Sequence, residues 1–361
     1  MRITNLKLQN YRNINDLDYQ PGPGLNIITG QNGQGKTNLL ESIFVLAAGY
    51  SFRAGNYQNL LAYDKNSFSV KIDYSWQERQ FTSQLDYKSG KAKFFINNKN
   101  ASHRSEDTLK VVLFTPDDLY IVKGTPAKRR SFVDFVLCQI SPDYRYDLDN
   151  YSKTLKKRNL LLKQEQTNSR TFGIINQIFI ENAVSVIIKR INFINLLAEI
   201  VNNIYKEIDT MSAEIKIKYA VSFPIDSARI SLDILYQALE QSINNNRKQE
   251  KLRRTSLSGP HIDDINIYHN DKLARFFSSQ GQQRTIALSM KLAEMYTFKK
   301  IKGFYPIFLL DEVLSELDNE KQRKLLEQLE KEDFQSFLTS VYIKPLTGNT
   351  VIIENGCLRR D

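Results

Sequence analysis

The sequence predicts an α/β protein in which a mixed parallel sheet with helices, accompanied by an antiparallel sheet, carries an inserted helical lobe. Three observations lead there. An apolar run from Leu25 to Ile28 ends at Gly30 and is followed by Leu39, Leu40, Ile43, Phe44 and Ala47 at helical spacing. A second run, Ile307-Phe308-Leu309-Leu310, is bounded by Pro306 and Asp311, as in a strand buried on both faces. Between them, from Phe172 to Ile208, apolar side chains return every three or four residues, among them Ile180, Ala183, Ile187, Ile191, Leu197 and Val201, marking one stripe on a long helix.

In chain order, Ile3, Leu6, Leu8, Tyr11, Leu17 and Tyr19 recur at two- and three-residue steps and stop at Pro21-Gly22-Pro23-Gly24, which reads as short strands and a turn. The strand from Leu25 to Ile28 and the helix after it follow. Segments from Ser67 to Tyr74, Phe81 to Tyr87 and Lys93 to Ile96 alternate apolar and polar residues, predicting an antiparallel sheet beside the first strands. A break at Phe114-Thr115-Pro116-Asp117-Asp118 precedes the helical lobe. A helix of ~35 residues is ~50 Å long, enough for a bundle or a short arm and too short for an extended coiled-coil rod. Strand-like sequence resumes from Ile262 to Tyr268.

Composition bounds the function. The 361 residues are 41% apolar and 25% charged, which excludes disorder and collagen-like repeats and makes room for two or three domains of ~150 residues each. Only Cys138 and Cys357 occur, so neither a disulfide framework nor a zinc module is supported. No apolar stretch approaches the ~20 residues that span a bilayer, and Met1-Arg2-Ile3-Thr4-Asn5 lacks a signal-peptide core; a cytoplasmic protein is expected. Lys and Arg exceed Asp and Glu by 50 to 40, and Leu119 to Ser258 alone holds 22 against 14. The lobe's clusters Lys128-Arg129-Arg130, Lys156-Lys157-Arg158 and Lys251 with Arg253-Arg254 are suited to neutralise phosphates, or simply to solvate helical faces.

The strongest chemical signal is Gly30-Gln31-Asn32-Gly33-Gln34-Gly35-Lys36-Thr37, followed by Asn38, between the predicted strand and helix. Glycines let backbone amides curl around a phosphate, the helix start adds its positive dipole end, Lys36 reaches the outer phosphates, and Thr37 offers a hydroxyl to Mg²⁺. At the end of the second apolar strand, Asp311 is suited to hold Mg²⁺ and Glu312 to polarise an attacking water. Ser278-Ser279-Gln280-Gly281-Gln282-Gln283-Arg284 opens another predicted helix; alone it is a capped helix start that needs no function. His261, Asp263 and Asp264 lack the partner spacing of a metal cluster, and a structural role is expected for them.

Together with Ser315-Glu316-Leu317-Asp318, these motifs in this order resemble the ATP-binding-cassette (ABC) ATPases. The Asn32-Gly33 form of the loop, Asn10-Tyr11-Arg12-Asn13, Gly124-Thr125-Pro126-Ala127-Lys128-Arg129-Arg130 and Ser258-Gly259-Pro260-His261 are similar to the RecF branch, kin to the SMC proteins, and the likeness covers nearly the whole chain. The resemblance implies an ABC-ATPase head assembled from residues 1–118 and 257–361, with residues 119–256 inserted as the lobe. It implies ATP and Mg²⁺ sandwiched between two copies: the loop, Asp311 and Glu312 acting in one, and Ser279, Gly281 and Gln282 of the other touching the γ-phosphate. By the same likeness Arg12 lies near the phosphates and Asp318 crosses the interface. It further implies a weak, DNA-regulated ATPase that closes as a homodimer on duplex or junction DNA through backbone contacts, works with RecO and RecR to load recombinase in repair and replication restart, and has no membrane partner. Two departures stand out. Where many cassette ATPases place a γ-phosphate-sensing histidine, this chain reads Phe337-Leu338-Thr339-Ser340, and no glutamine is evident for the head-to-lobe loop; both point to slow hydrolysis. A membrane transporter's ATPase subunit shares the three motifs but not the basic insertion, and an SMC-type architectural protein would need a longer one.

Overall fold

The computed structural model describes residues 1–209, 213–225, 230–341 and 348–360. The chain divides into two compact units. One comprises Met1–Asp118, Glu207–Thr210 and Ala287–Asp361; the other comprises Leu119–Lys206 and Met211–Ile286.

The first unit contains two six-stranded sheets. In one, the order is Ile14–Tyr19, Arg2–Tyr11, Ser67–Trp76, Arg79–Lys88, Lys91–Ile96 and Lys99–Asn100, all antiparallel. Its strands show the expected two-residue period: Phe68, Val70, Ile72 and Tyr74 are buried while their neighbours are only partly so. The other sheet runs Cys357–Arg360, Asn349–Glu354, Leu25–Thr29, Ser336–Ser340, Ile307–Leu310 and Val111–Phe114, with only the Cys357–Arg360 edge antiparallel. The four strands from Leu25–Thr29 to Val111–Phe114 are buried along their whole length, which explains their unbroken apolar character. Two buried amides join residues from opposite ends of the chain. Gln335 accepts from Ile3 N at 2.7 Å and donates to Ile3 O at 3.0 Å, and Asn26 Nδ2 donates to Ser336 O at 3.2 Å.

The second unit holds the helices Pro126–Ile140, Pro142–Lys163, most of the 39-residue helix Arg170–Ile208, and Leu232–Arg253. It also contains a three-stranded antiparallel sheet, Lys272–Leu273, Asp264–His269 and Ile215–Ala220; Asp264–His269 falls in the expected strand-like stretch, whereas Ile215–Ala220 lies where the sequence predicts helix alone. Ile215 and Ile217 face inward and alternate with lysines, a period-two pattern too short to stand out beside the long helix. Because Asp264–His269 pairs with this strand along its full length, the lobe's unit runs on to Ile286, whereas the resemblance puts the return to the head at 257.

Two arginines of the basic clusters are turned inward. Arg129 pairs with Asp264 at 2.7 Å, and Arg158, fully buried, grips Glu250 through Nη1 and Nη2 at 3.2 and 2.6 Å. His261, Asp263 and Asp264 likewise brace the unit: Tyr151 bonds the ring of His261, Asp263 accepts from Tyr219 Oη and Ser222 N, and Asp264 accepts from Arg129.

Removing one member of a buried ion pair strands the other. Arg158→Ala is therefore expected to lower stability by about 3–5 kcal/mol, with part of the loss recovered in Arg158→Met/Glu250→Leu; urea unfolding followed by circular dichroism measures both. In the first unit, burial pushes the Glu294 carboxyl up to about 7 from its ordinary 4.5, despite the Lys291 ammonium at 2.6 Å and with Asp118 adding repulsion. Between those two values the unfolded chain sheds a proton that the folded protein keeps, so stability falls as pH rises, by about 3 kcal/mol in all. Glu294→Gln should flatten that fall, seen as a smaller drop in Tm between the acidic and alkaline sides of the window.

Candidate functional site

The site is built at the carboxyl ends of the parallel strands, where such sheets place ligands. Leu25–Thr29 leads into the loop and then the helix Lys36–Ala48. Gly30, Gly33 and Gly35 have φ of 149°, 80° and 120°, conformations that side chains rarely adopt. A Cβ at Gly30 would come to 2.4 Å from Ile353 O, so the loop lies directly against the Asn349–Glu354 strand. Gln34 fastens it to the turn beyond that strand, its side-chain oxygen accepting from Asn355 N at 2.5 Å and its carbonyl from Gly356 N at 3.0 Å. Asn13 donates to Gly33 O at 3.2 Å and accepts from Asn38 Nδ2 at 2.8 Å. Gln31, Asn32 and Gly33 remain exposed at the lip. The loop is thus held in shape before any anion arrives.

Inside the loop Lys36 is almost wholly buried. Its ammonium donates to Gly30 O at 2.8 Å and Gln31 O at 3.1 Å, and stands 3.7 Å from Glu312 Oε1. Asp311 Oδ1 accepts from Thr37 Oγ1 at 2.9 Å and Thr339 Oγ1 at 2.8 Å. Burial raises the Asp311 carboxyl above its ordinary range; the two hydroxyls oppose the rise and the neighbouring Glu312 adds to it. Thr339 Oγ1 also accepts from Glu312 N at 2.8 Å, which holds Glu312 in a left-handed turn with φ of 52°. A buried carboxylate bonded only by hydroxyls, beside a threonine oxygen, is a hard-oxygen set suited to Mg²⁺.

The sequence-predicted residues fall into two groups. The loop residues Gly30 to Asn38, with Asp311 and Glu312, form one cluster. Arg12, in the adjoining turn, is committed elsewhere: it makes paired bonds to buried Glu41 at 2.9 and 2.8 Å and donates to Asn59 O at 2.7 Å. Ser279, Gly281 and Gln282 belong to the other unit. There Gln282 N donates to Ser279 Oγ at 3.3 Å and Ser279 N to Gln282 Oε1 at 2.8 Å, a reciprocal cap that leaves Ser279 and Gly281 exposed. Asp318 caps the helix Asn319–Lys331, and the Lys321 N–H it accepts holds its carboxyl below the ordinary range. Ser340 ends its strand as the register partner of Thr29.

Sequence reasoning passed over Thr339, the hydroxyl that joins Asp311 to Glu312, and Arg53, which donates to Asn38 Oδ1 at 2.9 Å and lowers the Asp311 carboxyl by its charge. Nothing in the local pattern of either marks it; both are found only through partners distant in sequence.

A family model described as RecF/RecN/SMC N terminal domain matches residues 2–353. The chain is 39% identical over 350 residues, 94% of its own length and 92% of the relative's, to the DNA replication and repair protein RecF of Enterococcus faecalis. Among solved structures it is similar to the recombination mediator protein RecF-ATP in the RecFOR pathway, at 28% identity and a TM-score of 0.90 over 100% of this chain and 97% of that one. An Smc head bound to the C-winged helix domain of ScpA matches with a TM-score of 0.57 at 14% identity, over 99% and 96% of the two chains, a likeness of fold. The architecture is the ABC-ATPase head with an inserted lobe expected from the sequence.

Thr339→Val keeps the side-chain volume but removes the hydroxyl that serves Asp311 and Glu312 N. A loss of about 1–3 kcal/mol is expected in thermal unfolding, largely restored in Thr339→Ser.

Proposed function

This chain belongs to the RecF family of DNA replication and repair proteins, and on that premise we propose that it is an ATP-switched DNA-binding protein whose two copies close around nucleotide and reopen on slow hydrolysis. The observation that carries the reading is the hydrogen-bonded cluster of Thr37, Asp311, Thr339 and Glu312, with Lys36 within ionic reach of Glu312, beside a preformed loop. The ATP complex of a RecF that is similar along the whole chain supports the same ligand.

Each residue then has a task. The loop amides and the helix start receive the phosphates. Lys36 exchanges the carbonyls of Gly30 and Gln31 for the outer phosphate oxygens. Thr37 and Asp311 would hold Mg²⁺, which when bound supplies charge neutralisation to the phosphates. Glu312, its side chain 39% exposed and angled by its left-handed backbone, orients and deprotonates the attacking water. Ser279, Gly281 and Gln282, exposed or partly so and bonded only among themselves and to their own helix, serve the γ-phosphate of a second copy, with Asp318 at the same interface and Arg12 near the phosphates. Ser340 cannot change charge near neutral pH as a histidine does, consistent with weak turnover regulated by DNA. Contact with duplex or junction DNA is mainly to phosphates, through the lobe's excess positive charge. RecO and RecR are the proposed partners in recombinase loading. The transporter reading is set aside, since the family match is to RecF, RecN and SMC; among the described residues no helix is long and apolar enough to cross a membrane.

The test compares mass in solution, ATP turnover and duplex binding for the parent protein, Lys36→Ala and Glu312→Gln, with and without ATP. Glu312→Gln should lose turnover by about a hundredfold or more yet accumulate as an ATP-dependent dimer on DNA, while Lys36→Ala stays monomeric. Equal DNA affinity in all three proteins under both conditions would contradict the switch.

A further inference from the structure

Two basic clusters that are nearly a hundred residues apart in sequence meet in the second unit. Arg158 from one and Lys251 from the other line a polar cavity of about 220 Å³, together with Arg247. The walls come from the helices Pro142–Lys163, Arg170–Ile208 and Leu232–Arg253 and from the turn at Thr167 to Ser169.

Charge in the lining is unbalanced. Arg158 spends its donors on Asn176 Oδ1, Ser256 Oγ and both Glu250 oxygens, and Glu250 Oε1 also accepts from Leu257 N at 2.9 Å. That pair satisfies itself, and Glu250 is the only acid in the lining. Arg247 and Lys251 are left over. Arg247 is exposed; its Nη2 donates to Thr167 O and Asn168 Oδ1, both at 3.2 Å, which ties one end of the guanidinium to the turn, while Nε and Nη1 have no bonded partner among the described residues. Lys251 is exposed and, among the described residues, has no bonded partner. The 39-residue helix begins at the same turn, capped by the Ser169 hydroxyl, which accepts from Phe172 N at 3.1 Å and donates to Gln166 O at 2.8 Å, so the helix contributes only the charge of its start. The space is smaller than the ~300–1,000 Å³ typical of pockets for whole organic ligands, so it suits a compact anion. A guanidinium tied at one end, an ammonium and a helix start around one space match a tetrahedral oxyanion.

We propose that this cavity is a phosphate-binding subsite of the lobe, receiving a phosphate group either from a nucleic-acid strand or free in solution. Its strand arm rests on the DNA-binding reading above, while its free-phosphate arm depends neither on that reading nor on whether two copies close around ATP.

The experiment uses the full chain without nucleotide and two probes: inorganic phosphate, followed by calorimetric titration at constant ionic strength, and a labelled short duplex, followed by fluorescence anisotropy across a salt series. Arg247→Ala/Lys251→Ala is compared with Lys91→Ala/Lys93→Ala, which removes the same charge from exposed positions of the first unit, outside the lining and outside the lobe's basic clusters. Asn244→Asp, at the exposed rim, adds a negative charge without deleting a contact. The cavity variants should weaken binding of at least one probe about tenfold, with the control close to the parent. For the duplex, the salt slope of Arg247→Ala/Lys251→Ala should also fall by about one. Weakening with phosphate alone identifies the free anion as the source, and weakening with the duplex alone or with both identifies the strand. Unchanged binding of both probes in the cavity variants, or an equal loss in the control, overturns the proposal.

Discussion

The parallel pairing of Leu25–Thr29 with Ser336–Ser340 is the constraint on which the rest of the first unit depends. Ser336 aligns with Leu25 and Ser340 with Thr29, a ladder that joins segments more than three hundred residues apart. Everything chemical hangs from its carboxyl end: the loop leaves from Thr29, Asp311 leaves from the neighbouring strand, and Thr339 points a hydroxyl at Asp311 from the strand between them. Long-range parallel pairing carries a large loop-closure cost. The buried amides of Asn26 and Gln335 offset part of it by cross-linking the carbonyls of Ile3, Gly22, Gly24 and Ser336.

The site gathers charge that is costly to bury. Asp311 is desolvated and sits beside another carboxylate, and two threonine hydroxyls stabilise its ionised form only in part. Lys36 is turned onto backbone carbonyls and stands within ionic reach of Glu312. Such an arrangement resembles a drawn spring more than a finished network: a phosphate and a dication would satisfy the lysine and the aspartate at the same time, each with the stronger partner. The cluster in the second unit is of the opposite kind. Arg158 and Glu250 saturate one another with help from Asn176, Ser256 and Leu257 N, and they serve the lobe's packing.

What the sequence made legible follows from how local each signal is. The turn from Gly30 to Thr37 was readable because its glycines, lysine and threonine fall within eight residues flanked by a strand and a helix of clear period; the antiparallel sheet was readable from the alternation in Ser67–Trp76 and Arg79–Lys88. Thr339 was not, since its importance lies in two partners 28 and 27 positions away and its own neighbours are ordinary strand residues. Nor does a run such as Lys156-Lys157-Arg158 reveal that its third member is buried while the first two face solvent. Helical periodicity places Arg158 inward only once the partner on Leu232–Arg253 is known. The strand Ile215–Ala220 escaped for a related reason: six residues of alternation carry little weight until Asp264–His269 supplies the ladder.

The brace that Gln34 receives from Asn355 and Gly356 has a consequence for biosynthesis. The loop itself is translated early, but the backbone that seals it emerges some three hundred residues later. At ribosomal rates of ~5–20 residues per second, tens of seconds separate the two events. Throughout that interval the nascent polypeptide carries the loop without its supporting wall, so the bracing that shapes it waits until the Asn349–Glu354 strand and the turn after it have emerged.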